Sequence, residues 1–233
     1  EFSPVTIDNG VRGDTTIEKI AKLKPAFDKY VGTITAANAS FLTDGATAVL
    51  LTSEDKAKEL GLTPKAELVD YTFTGGDLYE ELLLGPAYSI PEVLTKNNLT
   101  IDDIDVFEIH EAFAGQVLAN LNALASAEWC KKQLGLEKPI GRIPMNKLNQ
   151  WGGSLSIGHP FGATGGRLLT MAANRLQHGG GKYAILAACA AGAHGHAMLI
   201  KRYETTEQKV KSAAKNVIEK AEEKLEDLKE KIK

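Results

Sequence analysis

The chain has 233 residues, 43% of them hydrophobic and 24% charged, which is the balance of an ordinary globular protein able to bury one good core or two modest ones. A formal charge of −3 removes the electrostatic reason to expect nucleic acid as a partner, and no apolar run reaches membrane-spanning length. Two cysteines, Cys130 and Cys189, are too few for a disulfide scaffold and fit a reducing compartment.

In chain order, the pattern predicts a helix from about Thr15, a strand-like GTITAANAS and a helix from Asp44 to Leu60. That helix carries Ala46, Val49, Leu50 and Ala57 at helical spacing, with Gly61 as its stop. GLTPKAELVDYTFTG reads as a turn entering a strand. A helix near Pro86 to Asn97, a strand at Asp105 to Ile109 and a helix from Glu111 onward follow. A glycine-rich run then leads into a helix from about Gly162 to Gln177, and two strands, Tyr183–Cys189 and His196–Lys201, read as a hairpin. Strands alternating with helices predict an α/β fold around a largely parallel sheet.

The final stretch, Thr205 to Lys233, differs in kind. Thr205 and Gln208 suit a capping box, and Ala214, Ile218, Ala221, Leu225, Leu228 and Ile232 recur at alternating four- and three-residue steps. The pattern predicts an amphipathic helical tail with balanced lysines and acids. A helix docked on its own domain or frayed is the plainer reading, and a partner helix the sharper one.

Three polar groups capable of chemistry fall at the ends of predicted strands or the starts of predicted helices. His159 lies in NQWGGSLSIGHPFGATGGR (Asn149 to Arg167), between glycine and proline and just ahead of a helix, where backbone N–H groups favour negative charge. Cys189 ends an apolar strand before Gly192 and Gly195, where open α/β sheets build their sites. His110 follows the strand DVFEI. Cys130, in ASAEWCKKQL, has no such context and reads as structural. His194 and His196 form an H-x-H pair, but zinc would want a third ligand and no carboxylate or cysteine is well spaced for it, so no metal site is expected. No phosphate-binding loop, dinucleotide fingerprint or nucleophile-elbow serine occurs.

Taken together, HEAFAGQ (His110 to Gln116), NQWGGSLSIGHPFGATG (Asn149 to Gly165) and CAAGAHGHAM (Cys189 to Met198) resemble the thiolase family, in particular its trifunctional-enzyme branch. GTITAANASFLTDGATAVLL is similar to the stretch closing that family's N-terminal half. The resemblance implies a C-terminal thiolase half, a mixed sheet with helices on both faces, followed by the amphipathic tail. It also implies boundaries: residues 1–60 ending the N-terminal half, 61–204 as the C-terminal domain and 205–233 as the tail.

By the same resemblance His159 would activate a nucleophilic cysteine, Cys189 would exchange the α-proton of the acetyl unit, and His110 would serve the first oxyanion site. The Ala191 N–H would donate to a second oxyanion hole, and Ala36, Ser40 and Phe113 would line the pantetheine channel. The implied reaction is thiolysis of 3-ketoacyl-CoA in fatty-acid β-oxidation, with CoA as substrate and no metal or redox cofactor. A homodimer, a hydratase/dehydrogenase partner subunit and a mitochondrial location come with it.

Two departures stand out. The family usually has glycine at the position of Ala193, so a positive φ there would cost alanine on the order of 1 kcal/mol. The acylated cysteine belongs to the family's first half, of which only the closing segment corresponds to this chain, so a fragment inactive alone is expected. A scaffold using the heptad helix, and a hydrolase with Cys189 as nucleophile and His159 as base, are the competing readings.

Overall fold

The computed structural model describes residues 3–205, so the heptad stripe lies outside the described residues. Glu1–Arg202 forms the first of two units of the chain and holds the elements that follow. Within the first unit lie helices α1 (Ile17–Ile20), α2 (Glu54–Glu59), α3 (Gly85–Lys96), α4 (Ala114–Ala125), α5 (Ala127–Leu134), α6 (Ser154–Ile157) and α7 (Phe161–Gly179). Its strands are β1 (Ala66–Gly75), β2 (Val106–Ile109), β3 (Tyr183–Ala190) and β4 (His194–Arg202).

The four strands form one sheet in the order β1-β4-β3-β2. Only β2 and β3 run parallel; β4 is antiparallel to both its neighbours. The pattern-based expectation of a largely parallel sheet is therefore corrected, whereas the mixed sheet implied by the thiolase resemblance is what the structure has. The alternation of strands and helices pointed to crossovers, but β4 folds back from β3 to lie between β1 and β3, which makes two of the three pairings antiparallel. Helices do cover both faces. Phe107, Ile109, Ile185 and Leu199 pack against α3 and α4, while Val106, Ala184, Leu186 and Ile200 pack against Leu168, Ala172 and Leu176 of α7.

Local chemistry sets the element ends. The Ser126 hydroxyl accepts from Trp129 N–H at 3.1 Å to start α5, which stops at Gly135 in the left-handed region, φ 68°. Pro160 precedes α7 and Gly180, φ 74°, ends it. Cys130 is fully buried on α5, its Sγ 3.6 Å from the carbonyls of Ala123 and Leu124.

Two expected elements fail. Gly32–Ser40 is not a strand, because the Asn38 side chain diverts the backbone groups a ladder would need: its Oδ1 accepts from Thr35 N–H and its Nδ2 donates to the Thr33 carbonyl. Only an isolated bridge, Ala39 to Phe113, remains. The Asp44–Leu60 helix shrinks to the six residues of α2. Of its supposed apolar stripe only Ala57 is buried; Ala46, Val49 and Leu50 are exposed. An amphipathic stripe with nothing to pack on gives little helical stability. Instead the segment lies along α7, where Thr47 donates to the Ala163 carbonyl at 3.2 Å.

Ala193, in the β3–β4 turn, has φ 57° and is almost completely buried. It meets the condition under which alanine is strained. Ala193→Gly relieves about 1–2 kcal/mol of left-handed strain against roughly 0.5–1 kcal/mol of added chain freedom. A gain of up to about 1.5 kcal/mol in chemical denaturation is expected; a loss would show that the buried methyl matters more than the strain.

Candidate active site

The site assembles where β2 ends and α7 begins. His110 follows β2 directly and its N–H donates to the Ala187 carbonyl of β3 at 2.8 Å, which extends the parallel ladder by one step. Asn149 holds the outer side of the same strand end. Its Oδ1 accepts from Ile109 N–H and its Nδ2 donates to the Ile109 carbonyl, both at 2.8 Å, so one side chain imitates a pairing strand. Asn149 Nδ2 also donates to Glu111 Oε1 at 2.6 Å, and Leu155 N–H donates to Glu111 Oε2 at 3.0 Å. The chain entering α6 is thereby fastened to the chain leaving β2.

His159 arrives from the other side. Its N–H donates to the Phe41 carbonyl at 2.9 Å, and Leu42 pairs beside it as an isolated bridge. Gly158 has φ 88° and a Cβ there would overlap the Thr43 side chain, so the turn ahead of His159 needs glycine on both counts. The two imidazoles come together with centroids 4.2 Å apart, tilted by 37°, and Phe161 packs against the outer face of His159 at 4.7 Å.

His159 Nδ1 lies 2.7 Å from Thr164 Oγ1, and that hydroxyl in turn reaches the Pro160 carbonyl at 3.4 Å. With its hydrogen on Pro160, Thr164 accepts from Nδ1–H, which leaves a lone pair on His159 Nε2. Burial and then the Arg167 charge hold the His159 imidazole below its ordinary value. Burial, with His159 and Arg167 adding to it, pushes His110 down to about 4. Both rings are neutral at pH 7, so one can act as a base and the other as a donor.

Cys189 sits on β3 opposite Gly195 of β4, two residues past the carbonyl that receives His110 N–H. It is buried, and burial pushes its thiol up to about 11. The absence of a Cβ at Gly195 matters here, because one would overlap Thr74 and the Gly85 backbone where α3 begins. Ala191 lies in the exposed turn beyond β3. Of the residues expected along the channel, Ser40 donates its N–H to the Ala112 carbonyl at 2.9 Å, and Phe113 meets Phe27 edge to face at 6.0 Å. The 39–42 strip therefore runs between the start of α4 and His159. Ala36 lies in an exposed turn at the outer end of that strip.

The H-x-H pair behaves differently. His196 Nδ1 faces the Thr72 carbonyl at 2.9 Å and its ring stacks on Phe73 at 4.6 Å, while His194 is exposed in the strand end. Among the described residues no helix is long and apolar enough to cross a membrane.

Residue-level reading missed Ser154, Thr164 and Arg167, although all three lie in the glycine-rich run around His159. Arg167 donates from Nη2 to Ser154 Oγ at 2.7 Å, and Ser154 Oγ lies 2.9 Å from His110 Nδ1. Their signal was position: Thr164 and Arg167 are one turn apart on the first turns of the helix that His159 precedes.

Residues 62–202 match the model of the thiolase C-terminal domain, and residues 1–55 match that of the thiolase N-terminal domain. A probable 3-ketoacyl-CoA thiolase of Caenorhabditis elegans is 59% identical over 202 residues, covering 86% of this chain and 45% of the relative. The mitochondrial trifunctional enzyme subunit beta of Bos taurus is 55% identical over 199 residues, covering 85% of this chain and 42% of the relative. The chain thus spans less than half the length of these relatives. A crystal structure of human mitochondrial 3-ketoacyl-CoA thiolase in complex with CoA matches with a TM-score of 0.71 and 37% identity, over 85% of this chain and 45% of the other. With the family model covering most of the chain and the two motif histidines meeting at one strand end, the chain belongs to the thiolase family.

Proposed function

We propose that this chain supplies the acid–base part of a 3-ketoacyl-CoA thiolase site, acting in mitochondrial fatty-acid β-oxidation. The reading rests on one observation above all: two neutral imidazoles face each other beside a strand that carries a protonated thiol. In this reading His159 Nε2 takes the proton of a nucleophilic cysteine, whose thiolate adds to the 3-keto carbon. The C2–C3 bond breaks, the electron pair goes to C2, and Cys189 delivers its proton there to release acetyl-CoA. CoA gives its thiol proton to the Cys189 thiolate and attacks the acyl-cysteine thioester; the expelled cysteine thiolate takes its proton back from His159, and the shortened acyl-CoA leaves.

A thiol held protonated by burial suits the Cys189 role, since its thiolate, once formed, is strongly basic toward a weakly acidic α-carbon. The same burial argues against a hydrolase in which Cys189 attacks. Cys130 is walled in on α5 and Cys189 is held as a thiol, so neither cysteine of the chain is poised as a nucleophile. The nucleophile is assigned to a first thiolase half. His110 and the Ala191 N–H are the oxyanion donors, Ala36, Ser40 and Phe113 border the pantetheine path, and CoA enters as substrate with no cofactor. The assembly inferred is a homodimer that works with a hydratase/dehydrogenase subunit, as the name of the Bos taurus relative invites.

The test is a thiolysis assay with a 3-ketoacyl-CoA and CoA, run on the chain alone and on the chain fused behind the first half of the Caenorhabditis elegans relative. No turnover is expected from the chain alone, and clear turnover from the fusion. In the fusion His159→Ala and Cys189→Ser should each lower kcat at least about 100-fold. A fusion that folds and turns over equally well with either substitution would defeat the proposal.

A further inference from the structure

The Ser154 hydroxyl is completely buried and has two polar neighbours, Arg167 Nη2 at 2.7 Å and His110 Nδ1 at 2.9 Å. An arginine can only donate, so the Ser154 oxygen accepts from Arg167. The hydroxyl carries one hydrogen, and that hydrogen needs an acceptor. His110 Nδ1 is the acceptor within reach. Were Nδ1 protonated, two N–H donors would face one oxygen and the hydroxyl hydrogen would be buried without a partner, an arrangement folded proteins avoid.

We propose that Ser154 and Arg167 are positioning residues that fix His110 in its Nε2–H form, so that the ring presents a donor to the site. The direction of the chain is set at its far end. Arg167 is half-buried on α7, feels the charges of Glu108 and Glu111, and has only donors to offer, so the bond into Ser154 cannot reverse. Proton positions then alternate along the network: Arg167 donates to Ser154, and Ser154 donates to His110 Nδ1. His159 takes the opposite form, because its Nδ1–H points at Thr164. Two neighbouring histidines that look alike in sequence are thereby given different tasks by two hydroxyls. One holds a lone pair on Nε2 and the other holds a proton there. The assignment of the form stands on geometry alone; its use, stabilising oxyanion charge while His159 acts as base, rests on the thiolase reading.

The experiment is a long-range proton–nitrogen correlation spectrum of the full chain labelled with nitrogen-15 in histidine, recorded at pH 7 where His110 is neutral. The unsubstituted chain should show His110 with a protonated Nε2 and a hydrogen-bonded, unprotonated Nδ1. Ser154→Ala should move the Nδ1 signal downfield to the position of a ring nitrogen without a partner. Ser154→Asp, an acceptor-only group, should transfer the proton to Nδ1. Assignment of the His110 signals comes from their loss in His110→Asn. A protonated Nδ1 in the unsubstituted chain would overturn the proposal, and so would an Nδ1 signal indifferent to Ser154→Ala. The alanine variant keeps the test open should the buried aspartate fail to fold. Because the readout does not involve turnover, failure of the thiolysis assay and failure of this assignment are separate results.

Discussion

Glu108→Ala is expected to destabilise the protein by about 3–5 kcal/mol, the range for removing one partner of a buried ion pair. Glu108 lies on β2 with no exposure, and its Oε1 meets Arg175 Nη1 at 2.5 Å. Strand alternation puts Phe107 and Ile109 into the core beneath α3 and α4, and turns Val106 and Glu108 toward α7. Arg175 is also nearly inaccessible, and it donates further to the carbonyls of Phe107 at 3.2 Å and Lys147 at 2.9 Å. It thus clamps β2 to the segment that leads into the glycine-rich run. Burial raises the Glu108 carboxyl above its ordinary value, and the Arg175 and Arg167 guanidiniums oppose that rise. Removing the carboxylate strands the Arg175 charge in the interior with only carbonyls for company. The pair itself need not be net stabilising, since both charges were desolvated to form it. Two controls separate these effects. Glu108→Gln keeps an acceptor for Arg175 and should cost less. Glu108→Leu combined with Arg175→Met should recover most of the loss. The measurement is urea denaturation at pH 7, and a loss below about 1 kcal/mol for Glu108→Ala would refute the account.

Acid should unfold the protein through His110. Its imidazole titrates near 6.5 in the unfolded chain and at about 4 in the folded one, chiefly because burial disfavours the charged ring. The unfolded state therefore binds more protons across this window, so stability rises with pH. The contribution is intact above 6.5 and is lost as pH falls toward 4. At about 1.4 kcal/mol per pKa unit, the full loss is roughly 3 kcal/mol. His159 is depressed for the same main reason and adds a loss of the same sign. Glu108, raised by burial, works in the opposite direction above the ordinary glutamate value, so the total slope is a poor diagnostic. The difference between the unsubstituted chain and His110→Asn isolates the histidine. Denaturation midpoints of the two proteins should converge as pH falls from 6.5 to 4, because asparagine cannot take up a proton. Parallel curves over that interval would mean that His110 is not held neutral by the fold.

The two experiments examine one structural unit from opposite sides. Glu108 and His110 leave β2 two residues apart and point the same way, one into Arg175 and the other into Ser154. Arg167, in the first turns of α7, feels the charges of Glu108 and Glu111. The site is therefore supported by buried charge on the α7 side of the sheet and by apolar packing on the other. Burial, with the His159 and Arg167 charges beside it, disfavours the protonated ring, so His110 stays neutral next to a permanent cation.

Much of this was written in local sequence. The strand DVFEI, the helix that starts right after GHP and the hairpin around Gly192 each carry their signals within a dozen residues, through alternation, helical spacing and turn glycines. The three motifs containing His110, His159 and Cys189 were enough to identify the family, because each sets its residues at fixed offsets within one short stretch of chain. Other features depended on long-range partners. Whether 44–53 became helix turned on what its apolar residues could bury against, and Val49 and Leu50 found nothing. The sheet was mixed rather than parallel because β4 entered between β1 and β3, a choice of pairing that no strand encodes alone. The roles of Ser154, Thr164 and Arg167 arose only when α7 folded against β2. A hydroxyl or a guanidinium has no fixed task until burial removes water as its alternative partner. By itself the sequence determined which chemistry is present; the tertiary structure decided which nitrogen of each histidine holds the proton.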